Sequence, residues 1–446
     1  MSSSLSPVFS VRRQPPELIG SALQQTPRDL KLLSDLDDHF RMHIEMILFY
    51  KNNPSMKGKD PVRVIREALG GALVYYYPFA GRLREGPNEK LMVDCTDEGI
   101  LFIEAEANIT LEQLGDSIYQ PYEYLDEFLY KVPGSEGVLN CPVLLFQVTR
   151  LICGGFIVSI MGIHAMSDGQ GFGQFMQAVT EIACGKQSPS ILPIWNRELF
   201  NARDPPRITR TILKHEEVTH SHNFADAEST CNTSLQSFFF APEQFQALRN
   251  HLPADLKDRI TRFILLTACL WKCRTAALGL KPDDTVRVAC TSSVRGKFQN
   301  MHVPLGYYGN AFVLSAVSSR VNHLIDNPLA YAVELVMEAL AQISEEYVKS
   351  LVDYFVINKG RPLPFTTNDF CVSDNTRTGF DEVDYGWGKP VYGGHLGALV
   401  NCSCFDRCNK KGKEGVLVLL RLPSSAMEKF GQELKIVTRS GINTKL

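Results

Sequence analysis

Between Pro142 and Gly185 the chain writes two apolar strands, a glycine pair and an amphipathic helix, with a histidine at the joint. "PVLLFQVTRL" turns at Gly154–Gly155 into "FIVSIMGIH", both rich in β-branched residues. Phe172, Phe175, Met176, Val179, Ile182 and Ala183 then recur at helical spacing, and Gly185 supplies a C-cap. A hairpin running straight into a core-facing helix commits this part of the chain to a sheet covered by helices. It also places His164 in a loop at the C-terminal end of a strand, with Asp168 and Gly169 in the turn before the helix. The same stretch cannot be a membrane helix, because Gln147, Thr149, Arg150 and Gly154–Gly155 interrupt it, and no apolar run reaches about 18 residues.

The rest of the chain repeats this style. Residues 9–30 read as a strand and an extended lead-in, broken at Pro15–Pro16 and Pro27. Asp60 caps a helix with Pro61 in its first turn and Val62, Ile65, Leu69 and Leu73 on one face. "KLMVDC" and "ILFIEAEA", separated by "TDEG", read as a hairpin. From Lys186 to about Asn223 the chain is rich in proline and charge without a period, too long for an ordinary connection. Trp195 and the Arg/Asp pairs mark it as an ordered crossover. Beyond it come strands such as "TVRVAC" and "GVLVLLRL", and helices in "DRITRFILLTACLWKCRTAAL" and "NPLAYAVELVMEALAQISEEYVKSL". The expected fold is α/β, in two lobes of similar size, each a mixed sheet flanked by helices. The lobes are drawn at 1–190 and 224–446, joined by the crossover 191–223.

Composition narrows the partners. With 446 residues, 44% of them hydrophobic, there is ample apolar surface for two cores. A net charge of −3, with 21% charged residues, leaves no electrostatic footprint for nucleic acid, so the expected partner is a small molecule. The 12 cysteines follow no disulfide framework, and "MSSSLSPVF" is not a secretory signal, so reduced thiols are expected. Cys402, Cys404 and Cys408 lie close together, but their spacing matches no common zinc pair, and no metal is expected. The chain ends in Thr444-Lys445-Leu446, one residue from the peroxisomal Ser-Lys-Leu address, so a peroxisomal and a cytoplasmic location are both open.

Three stretches carry possible chemistry. His164 is either a packed strand-end histidine or a base, since small neighbours (Ala165, Ser167, Gly169) leave room beside its ring. A neutral imidazole suits general-base work near neutral pH. Ser167 as the nucleophile of a hydrolase is disfavoured, because no G-x-S-x-G elbow exists. "GQGFG" (Gly169–Gly173) lacks the spacing of a nucleotide fingerprint and reads as a tight turn with close helix–sheet packing. "DYGWGKP", from Asp384 to Pro390, reads as a rigid buried-tryptophan loop with Asp384 paired to an arginine.

Taken together and about 220 residues apart, these motifs resemble those of the plant BAHD acyl-CoA-dependent acyltransferases. The marks are H-x-x-x-D-G, here His164 to Gly169, and D-F-G-W-G, here Asp384, Tyr385, Gly386, Trp387 and Gly388. "YYYPFAGRL", "GYYGNAF" and "TRTGFDEVDYGWGKP" also look like family segments. "VRRQPPELI", "TPRDLKLLSDLDD" and "RELFNARDPPRIT" look like the benzyl alcohol O-benzoyltransferase subgroup. The resemblance implies a chloramphenicol-acetyltransferase-like fold with a substrate channel between the lobes. His164 would be the general base and Asp168 a structural ion-pair partner, with Arg295 as candidate. The loop at Asp384–Gly388, expected in the C-terminal lobe, would lie away from the reacting centre and support the fold and the CoA channel.

The implied activity is acyl transfer from an acyl-CoA co-substrate, benzoyl-CoA by subgroup, to benzyl alcohol or a similar small alcohol. An acetyl-CoA user, an amine acceptor or a non-catalytic binder of the same fold are the alternatives. No permanently bound cofactor, no nucleic acid, no membrane and a monomer are expected, and the CoA-binding residues are not readable. Three departures bear on acceptor choice: Tyr385 for Phe, Asn375 where the subgroup commonly has Trp, and "KHEEV" (Lys214–Val218) for a His-His-Glu pattern.

Overall fold

In the computed structural model the described residues are 8–22, 26–119, 125–212, 232–359, 366, 368–397, 402–410 and 412–439. Lys214–Val218 and Thr444–Leu446 lie outside them. The chain divides into two compact units: Met1–Asn201 with Val303–Ala311 and Arg377–Leu396, and Ala202–His302 with Phe312–Thr376 and Gly397–Leu446. Each contains a mixed sheet with helices, as the α/β reading expects.

The first unit is built on a seven-stranded sheet. Its spatial order is Val11–Arg13, Ile100–Ala107, Leu144–Leu151, Phe156–Ile163, His43–Tyr50 and Tyr392–His395, with Glu17–Ile19 also pairing onto Ile100–Ala107. The expected hairpin forms, with Leu144–Leu151 antiparallel to Phe156–Ile163 and Arg150 opposite Phe156. All eight residues of Phe156–Ile163 are buried, which explains why that strand is apolar on both faces rather than alternating. The helices Pro61–Leu73 and Gly169–Ala183 pack on each other, and Val62, Ile65, Leu69 and Leu73 face the core. Asp60 is the N-cap residue of the first of these helices, and its carboxylate also pairs with Arg150 at 2.6–2.7 Å.

Two readings of the sequence are corrected here. Leu91–Asp94 and Ile100–Ala107 are not a hairpin. The former joins a small three-stranded sheet with Arg82–Glu85 and Leu30–Leu32, while the latter runs parallel to Leu144–Leu151 in the large sheet. The boundary drawn at residue 190 also differs from the observed units. The Asp384–Gly388 loop belongs to the first unit and not to the C-terminal half, because Tyr392–His395 adds an antiparallel edge strand to His43–Tyr50.

The second unit has a six-stranded sheet in the order Thr233–Phe240, Lys413–Pro423, Cys402–Lys410, Asp369–Asp374, Thr285–Ser293 and Phe312–Arg320. Helix Arg262–Leu278, capped by Thr261, is its most buried helix and packs against Leu329–Ala341 and Ser424–Val437. The apolar run from Asn327 to Leu351 is two helices, because Ser344 caps a new one at Glu345. Over its described part, to Ile212, the proline-rich crossover is held by side chains: Trp195 and Arg197 pack in the first unit, and Arg203 pairs with Asp353 and Glu346 in the second. Among the described residues no helix is long and apolar enough to cross a membrane.

Candidate active site

His164 opens a short 3-10 turn, His164–Met166, directly after the buried strand Phe156–Ile163. The strand's hydrogen bonding continues one residue past its end, with His164 N donating to Met42 O at 2.8 Å, and the turn closes as Ser167 N donates to His164 O at 3.2 Å. The flanking residues Ile163, Ala165, Met166, Ser167 and Asp168 are all buried, with relative exposures of 0–5%. His164 alone among them is partly exposed. Phe40 lies nearly parallel to its ring, with centroids 5.0 Å apart at 23°.

Burial holds the imidazole below its ordinary pKa, and the electrostatic interaction with the nearby His395 acts in the same direction. The ring's own backbone carbonyl, the charge of Asp168 and the Asn310 side chain oppose this without overcoming it. The ring therefore gives up its proton at a lower pH than an ordinary histidine does.

Asp168 shapes the turn. Its Oδ1 accepts the N–H of Gly171 at 2.9 Å, capping helix Gly169–Ala183, and its Oδ2 accepts the N–H of Ala311 at 2.9 Å. Gly169 is the first residue of that helix. Arg295 lies in the second unit, just beyond the strand Thr285–Ser293. Ser167 is excluded as a nucleophile, because its hydroxyl is buried and donates to Tyr308 O at 2.6 Å.

The glycines of "GQGFG" are not there for the sheet. A Cβ on Gly171 would sit 2.1 Å from Tyr308 O, and one on Gly173 would sit 1.8 Å from Thr378 O. Their absence lets the helix approach two loop backbones, those of residues 303–311 and 377–396.

The loop Asp384–Gly388 sits at the other end of the same strand. Trp387 packs edge-on against Phe156, with centroids 5.4 Å apart, while His164 follows the strand's last residue. Eight residues at about 3.3 Å each put the two motifs roughly 26 Å apart. Asp384 is not paired to an arginine among the described residues. Its Oδ1 instead accepts the N–H groups of Gly386 (2.7 Å) and Gly388 (2.8 Å). Both glycines have left-handed backbone, φ 103° and 93°, which is what allows a carboxylate to be ringed by its own loop. Tyr385 is fully buried against Tyr50.

The site contains residues the sequence did not single out. Asp37, Arg197 and Asn310 are fully or almost fully buried, and Asn310 Nδ2 donates to His164 O at 2.9 Å. The only trace of Asp37 in the sequence is Ser34-x-x-Asp37, a capping box in front of a four-residue helix. Nothing in a linear reading joins it to residues 160 and 273 positions away.

A buried strand thus delivers a part-exposed histidine into a turn braced by a capping aspartate. The chain belongs to the Transferase family, the BAHD acyltransferases, which it matches over residues 9–436. Alcohol acyl transferase 1 allele RGb of Malus domestica is 49% identical over 437 residues, covering 97% of this chain and 96% of the relative. Benzyl alcohol O-benzoyltransferase of Petunia hybrida is 50% identical over 439 residues, covering 96% and 93%. Among solved structures, vinorine synthase aligns with a TM-score of 0.74 at 22% identity over 96% of this chain and 98% of its own, a likeness of fold. The protein is an alcohol acyltransferase, and its family draws the acyl group from acyl-CoA.

Proposed function

We propose that the protein transfers an acyl group from acyl-CoA to a small alcohol with His164 as general base, and that benzoyl-CoA and benzyl alcohol are its preferred pair. The observation that carries the base assignment is His164 itself: the one part-exposed residue in a buried turn, its pKa lowered by burial. The neutral ring nitrogen takes the proton of the alcohol hydroxyl as the oxygen attacks the thioester carbonyl. A tetrahedral oxyanion forms. Its collapse breaks the C–S bond, and the departing CoA thiolate takes the proton back from the imidazolium, leaving ester and free CoA. Asp168 contributes by holding the turn, since both its oxygens already accept backbone N–H groups. Its pairing with Arg295 belongs to the same proposal.

The benzoyl and benzyl preference rests on the petunia relative. The apple relative, at 49% identity, carries no acyl group in its name, so acetyl-CoA is the alternative donor.

Release of CoA thiol across a panel of acyl-CoAs and alcohols is the test, with His164→Ala alongside. The expected result is thiol release fastest for benzoyl-CoA with benzyl alcohol, and a loss of about 10³-fold in kcat in the variant. A pH profile adds a second check: with the pKa lowered from the ordinary 6.5, the acid limb of kcat/KM falls at a pH below 6.5. Full turnover by His164→Ala would end the mechanism. Thiol release confined to acetyl-CoA would replace the donor.

A further inference from the structure

Five donors converge on one buried carboxylate. Asp37 Oδ1 accepts from Asn310 N (3.0 Å) and Asn310 Nδ2 (2.7 Å). Its Oδ2 accepts from Ser34 N (3.0 Å), Ser34 Oγ (2.6 Å) and Arg197 Nη1 (2.9 Å). Asp37, Ser34 and Asn310 are 0% exposed and Arg197 is 1% exposed. A capping box accounts for the Ser34 bonds. It does not account for a fully buried arginine and asparagine around a helix of only four residues, Asp35–Asp38.

Where the two partners lead is informative. Arg197 Nη2 donates to Met166 O at 2.8 Å, and Asn310 Nδ2 donates to His164 O at 2.9 Å. These are the carbonyls of the last and first residues of the turn that presents the imidazole. Arg197 is itself fixed in direction, its guanidinium stacked 4.4 Å from the centre of the Trp195 ring and 5.0 Å from that of Tyr308. Trp195 is in turn tied by Nε1 to Leu32 O at 3.2 Å.

Stability alone is a poor reason for such a cluster. A buried ion pair roughly breaks even against apolar side chains of similar volume, because desolvation offsets the attraction. What apolar side chains cannot do is donate to two carbonyls at defined points. We infer that Asp37 is a positioning residue for acyl transfer: through Arg197 and Asn310 it clamps the backbone of the His164–Met166 turn and so sets where the imidazole stands. This rests on His164 as the base. A misplacement of about 1 Å at a reacting group costs on the order of 10²-fold in rate.

Three variants of the full chain test it: Asp37→Asn, Arg197→Lys and the apolar pair Asp37→Leu/Arg197→Met. Each is assayed for kcat and both KM values by CoA thiol release, with thermal midpoint, folded fraction and pH profile measured on the same preparations. Asp37→Asn is expected to lower kcat per folded chain about 10²-fold with each KM within about threefold, and to move the acid limb of kcat. Arg197→Lys, which keeps the charge but loses the second N–H to Met166 O, is expected to lower kcat about tenfold near the wild-type midpoint. The apolar pair is expected to recover the midpoint without recovering kcat.

If the pair restores kcat together with stability, the cluster only holds the fold and the inference is overturned. It is equally overturned if Arg197→Lys or Asp37→Asn keeps wild-type kcat and pH profile per folded chain. Should the aspartate variants fail to fold, Arg197→Lys decides. A wild type that releases no thiol with any pair would instead refute the proposed function.

Discussion

The two family motifs of this chain lie at opposite ends of the same strand, and they are held in opposite ways. At one end, the His164 turn is gripped from outside: donors from Asn310 and Arg197 hold its carbonyls, Met42 takes the His164 N–H, and Asp168 turns the chain into a helix. At the other end, the Asp384–Gly388 loop grips itself, with one carboxylate accepting two of its own backbone N–H groups. The first arrangement leaves a side chain partly open to solvent, and the second buries Tyr385 and Trp387. Signature residues therefore need not be catalytic residues. A motif can recur because its backbone admits few other sequences, and the glycines at φ 103° and 93° show that constraint directly.

Exchanging damage between the two ends breaks or confirms this contrast. The largest effect belongs to His164→Ala, whose loss of about 10³-fold in kcat comes with an unchanged thermal midpoint, since only a part-exposed ring is removed. Trp387→Ala should give the reverse. Removing a 7% exposed indole packed on Phe156 costs about 3–5 kcal/mol of stability, read by denaturant titration, while kcat per folded chain stays near wild type. A Trp387→Ala protein of normal stability and lost turnover would move the loop into the chemistry.

Acid pH separates the two ends next. His39 is held at about 4 by burial and His43 is lowered for the same reason, and both lie on the chain that packs beside His164. These rings are neutral when folded and take up protons more readily when unfolded. The stability they contribute is thus full above 6.5 and lost as pH falls from there, for His39 towards about 4. His39 alone should account for roughly 1–2 kcal/mol between pH 7 and pH 5, the lower figure allowing for its partial exposure. Replacing it as His39→Gln should flatten the fall in thermal midpoint over that range, and an unchanged fall would assign the effect elsewhere.

The sequence made one of these ends far more legible than the other. Strand Phe156–Ile163, helix Gly169–Ala183 and the place of His164 between them follow from local periodicity and turn chemistry, and the structure has them where the pattern put them. The partners of Leu91–Asp94 and Ile100–Ala107 were misread because a four-residue spacing suits a hairpin equally well as a change of sheet. The clamp on His164 was invisible for a different reason. Asp37, Arg197 and Asn310 meet only after folding, and each alone looks like an ordinary polar residue. Asp384 failed in the opposite sense: a carboxylate near glycines suggests an arginine partner, yet its own loop satisfies it.

The smallest expected effect tests how self-contained that loop is. Tyr385 stands where the family motif has phenylalanine, and its hydroxyl is buried without a hydrogen-bond partner among the described residues. Burial also pushes the phenol's pKa up, so it cannot recover the cost by ionising. Its neighbour Tyr50 solves the same problem by donating to Val383 O at 2.9 Å. An unsatisfied buried hydroxyl costs about 1–3 kcal/mol, whereas a phenyl ring of the same shape costs nothing there. Tyr385→Phe should therefore stabilise the protein by about 1 kcal/mol and leave kcat unchanged, because the loop lies a full strand away from His164. A loss of stability on Tyr385→Phe would mean that a buried water satisfies the hydroxyl, and that the loop is braced by solvent as well as by Asp384.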